Sequence, residues 1–328
     1  MTRTGTLARL FAHDGEPAIE LHPQDIARRG WREGDLVRVS SRQGECVLAL
    51  RACDTLRPAQ AFVAMHWGDE YLRGRTRDGR ALAGVNALTN SARCPQSRQP
   101  ELKHTAVRLE RAELPWRLVA AGWLPAGEAL GTQAALRTVM ARFGHASCVP
   151  FGREPDGRIG LCLRAASEAA VDEGVMAQIA SCFGLDGSDA LRYADPSRGR
   201  RRALRLAAPD GALDAFLLAG DTAAAEGVLA LLRERGAAAG IARAVLSGSA
   251  QPLQAHASRS PQVCNCVDVD EATINGALAG YRGDASGGVA WLQQRLRCGT
   301  QCGSCLPAVK ALVQRHATST RVAQVLAP

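Results

Sequence analysis

The chain has 328 residues, enough for two or three domains with their own hydrophobic cores. Its net charge is +8, but the basic residues are scattered and only 4% of residues are aromatic, which argues against a nucleic-acid stacking surface. There is no run of eighteen apolar residues and no N-terminal apolar signal core, which argues against membrane insertion and secretion, so we expect a cytoplasmic protein.

The first part of the chain, from residue 18 to about residue 110, predicts short strands separated by turns. Alternation of apolar and polar residues and β-branched content are typical of half-buried strands. One short helix, stopped by glycine, is predicted over residues 22–30. Strands at this spacing indicate a small β-barrel over residues 1–112. The predicted strands are residues 18–21, 36–40, 45–50, 61–65 and 106–109.

A second domain is predicted over residues 116–250, where the composition shifts to alanine, glycine and leucine. Helical periodicity occurs at residues 134–140 and 224–232, and strand-like runs occur at residues 158–163 and 213–218. These patterns together indicate an α+β middle domain. The chain contains neither GxGxxG nor a phosphate-binding P-loop motif, so nothing in it predicts flavin or nicotinamide binding.

A small all-α domain is predicted over residues 258–318, after a linker rich in serine, glutamine and histidine. Asp268 and Glu271 form a capping-box pattern for its first helix. A second helix is expected to open at Ser286, and a third to follow Pro307.

Five of the eleven cysteines lie in two short runs near the C-terminus. The first run is a CxC pair, Cys264 and Cys266, and the second contains a CxxC pair, Cys302 and Cys305. Four thiolates at such spacings suit zinc or an iron-sulfur cluster. A helix beginning near Pro307 would aim its N–H groups at the cysteines and favour an anionic cluster. A structural zinc site and a disulfide pair are the alternatives. The remaining single cysteines, to which we assign no chemistry, are Cys46, Cys53, Cys94, Cys148, Cys162 and Cys182.

The two cysteine runs, VCNC at residues 263–266 and CGTQCGSC at residues 298–305, resemble the [2Fe-2S] module of bacterioferritin-associated ferredoxin. That module is also found at the C-terminus of assimilatory nitrate and nitrite reductases. The ligands that the resemblance implies are Cys264, Cys266, Cys302 and Cys305.

Cys298 is extra to this module, and we expect it to be a shielded thiol at a helix end. We also expect Gly303 to permit a tight bend that turns the sulfurs of Cys302 and Cys305 toward one iron.

The first domain resembles the C-terminal, molybdopterin-dinucleotide-binding domain of molybdenum oxidoreductases, closest to assimilatory nitrate reductase. The matching words are MTRTGT at 1–6, HPQD at 22–25, GDLVRV at 34–39, MHWG at 65–68, NALT at 86–89 and QPELK at 99–103. The resemblance implies a double-psi β-barrel and a molybdopterin guanine dinucleotide cofactor. Trp67 corresponds to an aromatic beside the substrate funnel. The residues implied at the cofactor are Arg3, Thr4, Trp67, Asn86 and Lys103.

In that family a catalytic body with [4Fe-4S] cysteines and the molybdenum ligand precedes this domain, and this sequence does not contain it. We therefore expect the C-terminal portion of a nitrate reductase, as a fragment, a split gene or a mis-called start, inactive by itself. The resemblance implies that the cluster takes electrons from a reductase, ferredoxin or flavodoxin, and that a separate catalytic portion reduces nitrate to nitrite. The rival hypothesis is a non-enzymatic binding module stabilised by zinc.

Overall fold

The computed structural model describes residues 15–101, 104–154, 156–248, 260, 262–264, 266–267, 269–281, 283 and 286–325, with the side chains of Ala83 and of residues 318–325 left aside. The chain divides into two compact units, Met1–His256 and Ala257–Pro328. No helix among the described residues is both long enough and apolar enough to cross a membrane.

The first unit begins with a five-stranded sheet whose strand order is β4-β1-β3-β2-β7. In it β1 runs parallel to β3, whereas the other neighbouring strands are antiparallel. Within the described residues the sheet is open, because its edge strands β4 and β7 do not pair with each other. The strands are β1 (Ala18–Leu21), β2 (Leu36–Ser40), β3 (Glu45–Ala52), β4 (Ala61–Val63) and β7 (Arg108–Arg111), and helix α1 (Pro23–Arg28) follows β1.

Alternation along these strands creates the core of the first sheet. Ile19 and Leu21 of β1 are buried while their neighbours are partly exposed, as period-two side-chain geometry requires. They pack with Leu48 and Leu50 of β3 in one hydrophobic cluster that also contains Trp67. The sequence pattern therefore placed most of this sheet correctly, but the last strand lies two residues later than predicted.

The second sheet of this unit has eight strands in the order β11-β12-β13-β8-β10-β9-β5-β6. All of its described pairings are antiparallel. Its strands are β5 (Leu72–Arg75), β6 (Ala81–Ala83), β8 (Trp116–Leu124), β9 (His145–Arg153), β10 (Ile159–Ser167), β11 (Leu191–Asp195), β12 (Arg200–Leu206) and β13 (Leu213–Ala219).

Helices cover both faces of the second sheet, because its central strand β8 is buried on both sides. Leu118 and Ala120 pack on one face with residues of α2 and α3, whereas Val119 and Trp123 pack on the other face with residues of α4 and α5. The indole of Trp123 also donates a hydrogen bond to the Leu232 carbonyl at 3.0 Å. These helices are α2 (Ala126–Met140), α3 (Glu173–Cys182), α4 (Ala225–Arg233) and α5 (Ala242–Ser247).

The hairpin β5–β6 lies in the segment that we predicted to be part of a barrel, yet it extends the second sheet. Leu72 and Arg73 pair with Ser147 and Ala146 of β9. Leu72 also belongs to the hydrophobic cluster of the first sheet, so the two sheets of the first unit share part of their core. The described residues confirm mixed β and α+β structure, but they do not form a closed barrel.

The second unit is a small helical fold behind a two-stranded ribbon. Its first helix begins at Glu271, and its N-cap is Asp270, whose carboxylate accepts a hydrogen bond from the Thr273 N–H at 2.8 Å. The predicted cap Asp268 lies outside the described residues. The elements are β14 (Gln262–Cys264), β15 (Val269–Asp270), α6 (Glu271–Ala279), α7 (Gly288–Leu296) and α8 (Leu306–Val325).

One hydrophobic cluster holds these elements together. Ile274 of α6, Leu292 of α7 and Val309 of α8 are fully buried in it. An ion pair of 3.1 Å between Arg315 and Glu271 also joins α8 to α6. Three of the ten buried residues of this cluster are cysteines. The cysteines that could bind a metal therefore form part of the hydrophobic core of the unit.

Candidate functional site

The second unit brings five cysteines to one end of its three helices. Cys264 ends β14, and Cys266 lies in the turn that follows. The other three lie in the connection between α7 and α8, where Cys298 follows the C-cap of α7 and Cys305 directly precedes α8. A single ribbon and a single loop thus supply all of the thiols.

The CxC pair and the CxxC pair each provide one buried and one exposed thiol. Cys264 is 2% exposed and Cys305 is 6% exposed, whereas Cys266 and Cys302 lie at the surface. The site therefore has an inner and an outer side.

The thiols meet in two pairs, and each pair takes one cysteine from each run. The sulfurs of Cys266 and Cys302 lie 3.3 Å apart, and the Cys305 thiol is hydrogen-bonded to Cys264. Within the described residues no three Cys, His, Asp or Glu side chains converge as they would around one metal ion. The arrangement offers two sulfurs at each of two positions.

Backbone N–H groups point at these sulfurs. The Gly299 and Val267 N–H groups donate hydrogen bonds to Cys264, and the Cys302 N–H donates to Cys266. The loop can follow this path because Gly299 and Gly303 have φ angles of +78° and +73°, a region that side chains with a Cβ disfavour. Such donors stabilise thiolates and an anionic cluster.

The sequence hypothesis did not include Ser304, which contacts the outer pair. Its hydroxyl lies 3.0 Å from the Cys302 sulfur. This hydrogen bond is the largest of several, including those from the Ser304 N–H and the Cys266 thiol, that together lower the pKa of Cys302 to about 7. Ser304 could have been found in the sequence, because it is the polar residue between the two cysteines of the CxxC motif. Deprotonation near neutral pH prepares Cys302 to bind a metal ion.

The inner pair has different electrostatics. Burial raises the pKa of Cys305 to about 11. Burial also raises the pKa of Cys264, but hydrogen bonds from the Gly299, Val267 and Cys266 N–H groups and from Cys305 outweigh it, so the net pKa of Cys264 is lowered. Each pair thus contains one thiol that ionises readily.

Cys298 is fully buried beside the inner pair. Burial raises the pKa of its thiol, and the nearby Cys264 raises it further. Its position after the C-cap residue Arg297 agrees with the shielded helix-end thiol that we expected. Its exclusion from the ligand set stays a prediction.

The residue set fits a binuclear iron-sulfur cluster. Four thiols in two pairs, N–H groups aimed at the sulfurs, and the N-terminus of α8 beside Cys305 are what an anionic cluster with two irons requires. Cys264, Cys266, Cys302 and Cys305 would hold the cluster. When bound, it supplies one-electron redox chemistry.

Two of the residues predicted at the pterin cofactor lie on neighbouring segments of the first unit. The Val85 N–H donates to the Trp67 carbonyl at 2.9 Å, which places Asn86 next to that segment. Asn86 is exposed, but the Trp67 ring is only 1% exposed and packs edge-on against Tyr71. The other three predicted contacts, Arg3, Thr4 and Lys103, lie outside the described residues.

The other cysteines show no shared chemistry. Burial raises the pKa of both Cys46 and Cys162 to about 12 and raises that of Cys148 as well. Cys94 is exposed, and its pKa is lowered by hydrogen bonds from Ser97. None of them pairs with another thiol in the described part of the chain.

Two known protein families match separate parts of the chain. Residues 1–106 match the Molydopterin dinucleotide binding domain, and residues 262–315 match the BFD-like [2Fe-2S] binding domain. The second match contains all five cysteines of the candidate site. The chain therefore has domains for both a molybdopterin dinucleotide and a [2Fe-2S] cluster.

Several curated proteins are similar to this chain. A nitrate reductase of Klebsiella oxytoca is 31% identical over 95% of this chain and 32% of its own length. A nitrate reductase of Symbiobacterium thermophilum is 34% identical over 34% of this chain and 14% of its own length. The F420-dependent formate dehydrogenase subunit alpha of Methanocaldococcus jannaschii is 33% identical over 33% of this chain and 15% of its own length.

The chain thus spans about a third of the length of the Klebsiella nitrate reductase, and the similarity covers the middle region as well as the two cofactor domains. The sequence resemblance is confirmed: the chain carries a molybdopterin dinucleotide binding domain and a BFD-like [2Fe-2S] binding domain, consistent with the C-terminal portion of a nitrate reductase.

Proposed function

We propose that this chain is the cofactor-binding and electron-transfer portion of an assimilatory, molybdenum-dependent nitrate reductase. Electrons from a donor protein enter at the [2Fe-2S] cluster and continue toward a molybdopterin guanine dinucleotide centre. A separate catalytic portion completes that centre and reduces nitrate to nitrite.

One observation carries this proposal. A cluster domain and a pterin-binding domain lie on one chain, and a nitrate reductase is similar to that chain across 95% of its length. The formate dehydrogenase subunit is similar over only 33% of the chain. The combination favours nitrate reductase over formate dehydrogenase.

The first unit would close over one end of the pterin cofactor. We assign Asn86 and Lys103 to it as hydrogen-bonding and phosphate-binding residues, since an amide can pair with pterin or guanine edges and a lysine with phosphate. Arg3, Thr4 and Trp67 complete the proposed contact set. The parallel pairing of β1 with β3 in an otherwise antiparallel sheet supports a double-psi barrel over residues 1–112.

The donor would dock at the second unit, residues 258–318, while residues 116–250 form the scaffold between the two cofactor domains. A reductase, ferredoxin or flavodoxin are the donor classes proposed. Reaction in the cytoplasm, without nucleic acid or a membrane partner, agrees with the composition.

The test is a chimaera. The Klebsiella oxytoca nitrate reductase would have its homologous third replaced by this chain, and nitrite formation would be measured with reduced ferredoxin and, separately, with a reduced viologen dye. We expect both donors to support activity. Cys302→Ser should abolish the ferredoxin-driven rate but retain a larger fraction of the dye-driven rate, because a small dye can reach the molybdenum centre directly.

Cys53→Ser is the matched control, since Cys53 belongs to the first unit and the cluster cysteines belong to the second. It should leave both rates unchanged. A Cys302→Ser chimaera with an unchanged ferredoxin-driven rate would disprove the electron path.

A further inference from the structure

The contacts between sulfur atoms indicate how the four cysteine ligands would be divided between the two irons of the [2Fe-2S] cluster. We propose that each iron is held by one thiolate from each run: Cys264 and Cys305 bind an inner iron, and Cys266 and Cys302 bind an outer one. This inference rests on cluster binding and is independent of the electron path proposed above.

The pairing differs from our expectation from sequence, in which Cys302 and Cys305 turn toward the same iron. The sulfurs of Cys266 and Cys302, one from each run, approach each other to 3.3 Å. The corresponding inner contact joins Cys264 to Cys305. Sulfurs that already touch across the runs need the least movement to share a tetrahedral iron.

Burial leads independently to the same pairing. Cys264 and Cys305 are buried, while Cys266 and Cys302 are exposed. A pairing within each run would have to bring one buried and one exposed sulfur to the same iron on both sides of the cluster. The crossed pairing leaves each thiol at the depth it already has.

The hydrogen bonds agree with this assignment. The Cys302 N–H donates to Cys266, and the Gly299 N–H donates to Cys264. Both donors lie in the second run, so the backbone of that run is hydrogen-bonded to both sulfurs of the first run. The outer iron would lie near the surface beside Ser304, where a partner protein can approach it most closely.

Two double variants separate the alternatives. Cys266→Ser with Cys302→Ser would place both serine oxygens on the outer iron if the pairing is crossed, whereas Cys264→Ser with Cys266→Ser would place one oxygen on each iron. Mössbauer spectra of the oxidised, ⁵⁷Fe-enriched full chain report the two irons separately. We expect the first variant to keep one parental quadrupole doublet and change the other, and the second variant to change both.

The reverse result, with both doublets changed in the first variant and one kept in the second, would overturn the pairing. A chain that binds no iron at all would instead disprove the cofactor assignment. The two failures are therefore distinct.

If a double variant does not assemble a cluster, the pairing of the four cysteines can be determined in the parent protein by disulfide mapping. Ferricyanide destroys a bound cluster, and two thiolates released side by side form a disulfide by giving two electrons to two ferricyanide ions. Trypsin cuts after Arg282, Arg297 and Lys310, so the two runs fall on different peptides. Linked peptides with Cys266–Cys302 and Cys264–Cys305 bonds support the pairing, whereas bonds within each run or an equal mixture of all bonds contradict it.

Discussion

His145 and Val47, 98 positions apart, join the two sheets of the first unit: the ring Nδ1–H donates to the Val47 carbonyl at 2.9 Å. His145 opens β9 and Val47 lies in β3. Burial lowers the pKa of His145 to about 4, although the hydrogen bond to Val47 opposes that shift. Nearby Arg117 and Arg164 also disfavour a second positive charge there.

We predict that His145 makes the first unit sensitive to acid. Its folded pKa lies below the ordinary value of 6.5, so the unfolded chain takes up the proton first as the pH falls. Neutral His145 contributes its full stabilisation of the folded first unit above pH 6.5. This contribution, roughly 3 kcal/mol in the free energy of unfolding, is lost progressively as the pH falls toward 4.

Urea denaturation followed by tryptophan fluorescence, in a Trp291→Phe background that silences the second unit, would measure this loss. His145→Asn, which keeps a donor near the Nδ1 position but cannot titrate, is the comparison. Equal pH dependence of parent and His145→Asn between pH 6.5 and 5 would rule out this role.

Cys298→Ser should retain a cluster with near-parental iron and sulfide content, because the other four thiols already form two pairs. Cys302→Ser or Cys305→Ser should lose the cluster. Iron and sulfide analysis with the visible spectrum of the three single variants tests this. Bleaching by Cys298→Ser while Cys302→Ser stays coloured would show that the ligand set is wrong.

Asn86→Ala and Lys103→Ala should reduce retention of the molybdenum cofactor in the assembled enzyme, each by several-fold, while the absorption of the [2Fe-2S] cluster stays unchanged. The two sites lie in different units, which is why the effects should separate. Molybdenum content after gel filtration is the measurement. Lys310→Ala, the change of the other lysine in the chain, is the control, and equal molybdenum content in all variants would contradict the assignment.

Removal of the cluster should unfold the second unit and leave the first intact. Three cysteines form part of its ten-residue buried cluster, and a core this small depends on its metal centre. Hydrogen exchange after chelation should show lost protection in residues 262–317 and kept protection in residues 116–219. Continued protection of helices α6 and α7 in the iron-free protein would refute the dependence.

The sequence predicted the parts of this molecule that follow local rules. Strands β1 and β2 show clear alternation, and the four implied cluster cysteines do lie together in two pairs. Strand β8, however, was not predicted, because a continuous apolar run buried on both faces has the period of neither a helix nor a strand. The polar strand β5 is only four residues long, so it gave no pattern to detect.

The arrangement of the cluster ligands shows a second limit. Spacing identifies which cysteines can bind, but the depth of each sulfur depends on how β14 packs against the loop before α8. Long-range packing of this kind has no signature within CxC or CxxC. Similarly, two aspartates precede the first helix of this unit, and only the structure shows that Asp270 caps it.

The placement of the hairpin β5–β6 determines how this protein can be recombined. If the chain were cut after residue 112, β9 would lose its pairing with Leu72 and Arg73 of β5. The backbone groups of β9 left unpaired would favour edge-to-edge aggregation. Residues 15–248 are therefore best transplanted as one cassette. The junction between Met1–His256 and Ala257–Pro328 is where the second unit can be exchanged for the corresponding unit of another protein.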